Sequence, residues 1–246
     1  MKRGSNGRMA LAAAILAIAA PPVMAQDAPG YLAGQPGLDL ATILPGPPAP
    51  GSPAALADAQ RFRDARALQD SARWRQATAD VSSDLALRFA DALGFPLDWR
   101  KLPRTRALFA RFDADRSAAI GAAKRHWQSP RPFIVTDLPI CEPRTPGLIA
   151  NGDYPSGHTA HGWAFTLLMA ELLPDRAQPI LARGRDYGDS RWICGSHSVS
   201  AVEGGYLAAA AIVAREHGDP AFRRDMAAAA RELARYRRTL TTSTPH

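Results

Sequence analysis

The sequence predicts one all-α domain, a single-domain helical bundle, on three observations. Apolar residues recur at spacings of three and four through several long stretches. No stretch shows strand-type alternation closed by turn residues. The chain, at 246 residues, is also long enough for one large domain with a substantial core.

The elements follow in order. Lys2, Arg3 and Arg8 precede an apolar run from Met9 to Ala20 and then Val23-Met24-Ala25, the layout of a secretory signal peptide over residues 1–25. The run is short of the roughly 20 residues needed to span a bilayer, so a mature chain starting near Gln26, periplasmic or secreted and not inserted in a membrane, is expected. Residues 26–53 form a Pro/Gly-rich arm, with Pro45, Pro47, Pro48, Pro50 and Pro53 excluding regular helix. The arm reads as a lead-in or as a clasp on a second copy of the chain.

Ser52-Pro53, a cap residue followed by proline, opens the helical domain expected over 54–238. Amphipathic spacing runs from Ala65 to Ala90, and again through Leu108, Phe109, Phe112, Ala118 and Ile120. Residues 130–155 carry Pro130, Pro132, Pro139, Pro143, Pro146 and Gly152 and predict a long irregular connection, a feature that is usually functional. Helical spacing resumes from Gly157 to about Leu173. Pro174-Asp175 stops one helix and starts the next, which leads towards Tyr187. Two further helices, Ser198 to Glu216 and Ala221 to Arg238, precede a tail at 239–246. There is no internal repeat.

Net charge is +7, and about +4 without the three basic residues of the leader. The excess is spread along the chain, which favours small anionic substrates and argues against a nucleic-acid partner. Cys141 and Cys194, the two cysteines present, predict one structural disulfide in an oxidising compartment and do not make a zinc signature.

Three groups at helix boundaries carry the chemistry. Lys124 stands seven positions before Arg131-Pro132, Pro155-Ser156-Gly157-His158 opens a helix, and Ser190-Arg191 precedes His197. A tetrahedral phosphate needs several directed donors and compensating positive charge. Arg131 and Arg191 offer planar forks, Lys124 a point charge, and the main-chain N–H groups of Ser156 and Gly157 a helix N-terminus. Two histidines can then divide the reaction, one neutral to attack phosphorus and one protonated to release the alcohol. The chain holds only three lysines beside 27 arginines, which makes a lysine in this cluster pointed. His161, three residues from His158, invites a metal reading, but three nearby cations would repel a metal ion and no third ligand is spaced for it. His126, His217 and His246 read as surface residues.

This ordered set resembles the type 2 phosphatidic acid phosphatase superfamily, and within it the class A bacterial non-specific acid phosphatases. The likeness extends from about Leu44 to Tyr236 and includes Arg73-Trp74, Gly152-Asp153-Tyr154 and Ile193-Cys194-Gly195. It implies a helical fold shared with vanadium haloperoxidases, in which Lys124, Arg131, Ser156, Gly157, His158 and Arg191 hold the transferred phosphoryl group. His197 would be the nucleophile and His158 the general acid. No cofactor is implied, vanadate is expected to inhibit, and a homodimer or larger assembly is suggested.

One position departs from the family pattern. Where an aspartate stands four residues after the nucleophilic histidine, this chain has Ala201, which cannot orient an imidazole. Glu203 lies about 120° around the helix from His197, leaving Ser200 or a backbone carbonyl as neutral substitutes. The expected function is therefore a metal-independent phosphomonoesterase working through phosphohistidine, with phosphotransfer as a side activity. The alternative is a phosphate- or phosphoester-binding homologue impaired at Ala201, and the outsider is vanadate-dependent peroxidase chemistry.

Overall fold

The computed structural model describes Met1 and residues 29–242. The expected signal peptide falls almost wholly outside the described residues, as do the last four residues of the tail. Eleven α-helices occupy the described chain, with no strand among the described residues. They are α1 (Leu40–Ile43), α2 (Pro53–Asp64), α3 (Ala72–Ala79), α4 (Leu85–Arg88), α5 (Ala90–Leu93), α6 (Pro103–Trp127), α7 (Pro146–Ala150), α8 (Gly157–Leu172), α9 (Ala177–Cys194), α10 (Val199–His217) and α11 (Pro220–Thr242).

Helix α8 is the central element, buried between α9 and α10, while α11 packs along α6. Its residues Phe165, Leu168 and Met169 meet Phe89, Tyr187, Leu108, Ala208 and Ile212 in one continuous core. Alanine and glycine on α10 permit close approach to α8. A Cβ at Gly205 would sit 2.7 Å from the Ser156 carbonyl oxygen and 2.9 Å from Thr159 Cβ, so a larger residue would push α10 away from the start of α8. The two long helices are joined by a cap across the fold: Glu232 of α11 accepts from the Arg104 and Thr105 N–H groups, at 3.1 and 2.8 Å, at the N-terminus of α6. A carboxylate there also meets the positive end of the helix dipole.

Three boundaries differ from the sequence reading. Spacing through 65–90 suggested long amphipathic helices, but the segment is cut into a 3₁₀ turn (Ala65–Leu68), α3, α4 and α5. Ser71 and Asp84 each cap a fresh helix through their side chains, and Asp70 adopts φ 65°, so local hydrogen bonding overrides periodicity. The arm contains the short α1, started by Asp39 before the proline run. From residue 29 it lies on its own chain, with Tyr31 Oη donating to Asp225 (2.8 Å) and Leu32 N to Asp115 (3.1 Å). Finally, α11 continues to Thr242, past the expected end at 238. The connection 130–155 is irregular as expected, interrupted by a 3₁₀ turn at Pro132–Val135 and by α7.

Candidate active site

The three sequence groups converge at one end of α8. Lys124 reaches it from the last turn of α6, where Gln128 in the left-handed region (φ 47°) ends the helix. Its Nζ donates to the carbonyls of Asn151 (3.0 Å) and Gly152 (2.9 Å). Burial, reinforced by Arg131, lowers its pKa to about 7.

The segment leading to Arg131 is held against the one preceding α8, because the Asp153 N–H donates to the Ser129 carbonyl at 2.7 Å. Gly152 makes that pairing feasible: it has φ +69°, and a Cβ there would lie 3.3 Å from the same Ser129 oxygen. Arg131 is buried, and its Nη1 donates to the Ser196 carbonyl (2.6 Å) and to His197 Nε2 (3.1 Å). Arg191, on the last turn of α9, is equally buried and its Nη2 donates to Glu142. Arg131 Nε and Arg191 Nε and Nη1 are buried with no hydrogen-bond partner among the described residues. Buried guanidinium donors in this condition are costly, and an anion with several oxygens would satisfy them together.

His197 lies just before α10 and is only 3% exposed. Guanidinium can only donate, so Nε2 presents its lone pair to Arg131 and the ring proton resides on Nδ1. That Nδ1–H donates to Asp153 Oδ1 at 2.8 Å. Asp153 also accepts from the Ser198 N–H (3.2 Å) and hydroxyl (2.6 Å). Burial lifts the Asp153 pKa to about 6, opposed by the Ser198 donors and by the charges of Arg131 and Lys124. Burial, followed by Arg131, Lys124 and Arg191, holds His197 well below the usual histidine range, so the ring is neutral.

His158, on the first turn of α8, is oriented differently. Its Nε2–H donates to the backbone carbonyl of Asp80 at 2.7 Å, and its ring stacks on Tyr187 with centroids 4.6 Å apart. The Asp80 carboxylate is fixed by Arg183 and by the Ser190 hydroxyl (2.7 Å). Burial first, then Arg191, depresses the His158 pKa.

Ser156 departs from expectation. Its main-chain N–H donates to the Ala201 carbonyl at 2.8 Å and so does not face an anion. Its hydroxyl caps α8, accepting from the Thr159 N–H (3.2 Å) and hydroxyl (2.9 Å), which leaves its own proton uncommitted. Gly157 and His158, as the first helical residues, carry N–H groups without an intrahelical acceptor, and the Gly157 backbone adjoins Lys124.

The reading of Ala201 is corrected more sharply. Ala201 is fully buried and contributes only its carbonyl, yet His197 does not lack a carboxylate, because Asp153 reaches it from 44 residues away in sequence. Neither neutral substitute is used: the Ser200 N–H donates to Asp58 (3.1 Å) at the junction with α2. Glu203 is exposed and pairs with Arg185. His161 bonds to Asp113 at 3.0 Å. His126 is exposed, whereas His217 is half-buried and pairs with Glu171 (2.9 Å); His246 lies outside the described residues.

Three functional candidates escaped the sequence reading. Asp153 stands in the Gly152-Asp153-Tyr154 stretch, where nothing local marks it as a partner of His197. Glu142 accepts from both Arg191 and the Ser196 hydroxyl, and Asp80 positions His158; neither contact has a local sequence signal. Cys141 and Cys194 are free thiols in the structure, adjacent through a 3.1 Å bond from the Cys141 N–H to the Cys194 carbonyl.

The PAP2 superfamily model matches residues 116–222. An acid phosphatase of Zymomonas mobilis subsp. mobilis is 45% identical over 195 residues, covering 78% of this chain and 74% of the relative. A non-specific acid phosphatase of Providencia stuartii is 32% identical over 213 residues, 85% and 86% of the two chains. One from Salmonella typhimurium is 34% identical over 195 residues, 77% and 78%. With Lys124, Arg131, His158, Arg191 and His197 gathered at the head of α8 and relatives aligned along most of its length, the chain belongs to the PAP2 superfamily, in the branch of the class A bacterial non-specific acid phosphatases.

Proposed function

We propose that this protein is an exported, metal-independent acid phosphatase that hydrolyses small phosphomonoesters through a phosphohistidine at His197. The observation that carries the reading is the set of unpartnered buried guanidinium nitrogens on Arg131 and Arg191, beside a histidine whose Nε2 lone pair faces the Arg131 Nη1. The names of the relatives supply the reaction class.

In the first half-reaction His197 Nε2 attacks phosphorus, displacing Arg131 from its lone pair, and the P–O bond to the leaving group breaks with its electrons going to that oxygen. Nδ1 of His158, the ring nitrogen not held by Asp80, donates the proton that converts the departing alkoxide to an alcohol. Burial keeps free His158 neutral. A substrate arriving as its monoanion at mildly acidic pH carries the required proton, and the bound phosphoryl charge stabilises the imidazolium. In the second half His158 accepts a proton from water as the water oxygen attacks phosphorus, and the P–N bond breaks with its electrons returning to Nε2. An alcohol in place of water gives phosphotransfer. Arg131, Arg191, Lys124 and the N-terminus of α8 spread the charge of the transition state over fixed donors.

A local excess of positive charge disfavours a bound cation, which supports metal independence. Among the described residues no helix is long and apolar enough to cross a membrane, and the leader-like residues 1–25 support export. On export, an oxidant accepting two electrons and two protons would join Cys141 to Cys194, tying the Glu142 loop to the segment before His197. Thiol titration of oxidised, denatured protein should find none, and two titratable thiols would contradict the disulfide.

The decisive assay is hydrolysis of 4-nitrophenyl phosphate between pH 4 and 8 with excess chelator, against His197→Ala. Activity that survives chelation, is inhibited by vanadate and vanishes in the variant is the expected result. Phosphate binding without turnover would contradict it.

A further inference from the structure

We propose that Asp153 is the positioning carboxylate of His197, and that this chain has moved that carboxylate from the helix following the histidine to the strap preceding α8. The inference rests on the reading of His197 as nucleophile. It goes beyond that reading because the residue pattern of the family points to position 201, which is alanine here.

The geometry gives Asp153 everything the role requires. Its Oδ1 accepts the His197 Nδ1–H at 2.8 Å, which fixes the tautomer with Nε2 free to attack. Its remaining bonds, to the Ser198 N–H and hydroxyl, prevent rotation of the carboxylate, and its own N–H is pinned to Ser129. Both residues of the pair are buried, at 4% and 3% exposed, so the carboxylate faces the imidazole through protein rather than water. As the P–N bond forms, positive charge develops on the ring, and a carboxylate on Nδ1 stabilises it. The bond also spans two elements that are 44 residues apart in sequence: the strap from Gly152 to Ser156 and the segment that starts α10. These are joined a second time by the Ser156 N–H to the Ala201 carbonyl at 2.8 Å. Position 201 therefore serves as a backbone anchor for the same strap that delivers Asp153.

A cavity of about 390 Å³ makes the proposal unusually testable. Asp153 and Ser198 form part of its wall, together with Phe62, Pro130 and Pro132. His197 is not part of that wall, so the cavity adjoins the carboxylate rather than the ring, and it is large enough to admit formate if the Asp153 side chain is truncated.

The experiment uses the full mature chain and four variants: Asp153→Asn, Asp153→Ala, Asp153→Ala combined with Ala201→Asp, and His197→Ala. Steady-state hydrolysis of 4-nitrophenyl phosphate and rapid-quench trapping of phosphoenzyme are followed together. Asp153→Asn should lower kcat by about 10²- to 10⁴-fold with KM changed less than about threefold, since a lost orienting carboxylate in an analogous triad costs about 10⁴. Phosphoenzyme formation should slow in parallel. Formate at high concentration should restore at least tenfold to Asp153→Ala and nothing to His197→Ala, an outcome that a purely structural role would not give. Return of activity in the Ala201→Asp combination would show that the two positions exchange the function. Wild-type-like kcat in Asp153→Asn, with His197→Ala inactive, would overturn the proposal while leaving the nucleophile in place. Activity in His197→Ala would instead remove the nucleophile reading itself. If Asp153→Ala is unfolded by circular dichroism, the near-isosteric Asn variant and its kcat against KM decide alone.

Discussion

The surroundings of the two histidines differ in one respect that separates their tasks. His197 is held by a carboxylate, Asp153, and His158 by a neutral backbone carbonyl, that of Asp80. Both rings lie among cations and both have depressed pKa values, His197 being buried and His158 half-buried. A nucleophile must carry positive charge once its nitrogen is phosphorylated, so an anion on the far nitrogen lowers the barrier. A general acid must surrender its proton, and a carboxylate partner would raise its pKa and hold the proton back. The carbonyl orients the ring without supplying that charge. The site thus distinguishes two chemically identical side chains by the charge of the atom behind each one.

That contrast can be broken from the His158 side first. His158→Ala should reduce hydrolysis of an alkyl phosphate by about 10²- to 10⁴-fold, the usual range for a general acid, and should reduce 4-nitrophenyl phosphate far less, because nitrophenolate leaves without a proton. Equal losses on both substrates would assign His158 to binding alone. Next in size, Arg183→Met should leave the buried Asp80 carboxylate without its charge partner and lower stability by about 3–5 kcal/mol, read from urea unfolding at pH 7. Activity per folded molecule should fall as well, because the carbonyl that holds His158 is on the same residue.

The His197 side makes a prediction about stability rather than rate. In the folded protein the Asp153 pKa is about 6, above the ordinary value of 3.8. The folded state therefore binds this proton more tightly than the unfolded state, and the contribution of the group to stability is greatest below pH 4 and is lost as pH rises through 6. His197, Ser198, Arg131 and Lys124 all face this carboxylate and set that balance. Asp153→Asn should consequently gain thermal stability relative to the parent above pH 6, and the gap should close as pH falls towards 4. A constant gap across this range would show that the carboxylate does not titrate there. The smallest effect belongs to Glu203→Gln, expected to leave kcat and stability within about 0.5 kcal/mol of the parent, since its exposed ion pair with Arg185 touches neither histidine.

The same contrast explains what could be read from the chain alone. Helices α2, α8 and α10 were legible because spacing and caps are local: Ser52, Ser156 and Ser198 each stand at a helix start and bond within the next turn. Helices α6 and α11 were legible from their spacing, α6 having no side-chain cap. The cation groups were legible through their order and spacing. The carboxylate of His197 was not, because a search along α10 sees only residues one turn away, whereas Asp153 arrives through Gly152 in the left-handed region and a bond to Ser129. Asp80 and Arg183 are likewise separated by 103 residues, and no local rule links them. The breaks in 65–90 were obscured for the opposite reason, since apolar spacing continues across Ser71 and Asp84 while their side chains start new helices. Periodicity and caps thus revealed most of the scaffold and the cationic half of the site. The anionic half depends on tertiary contacts.

The central claim, a covalent phosphohistidine at His197 formed without a metal, is tested most directly by rapid acid-free quenching of the chelated enzyme with ³²P-labelled substrate, followed by peptide mapping. The account predicts an alkali-stable, acid-labile label on His197 that forms faster than or as fast as turnover and is absent from His197→Ala. Full turnover with no labelled enzyme at any time, or label on another residue, would contradict it.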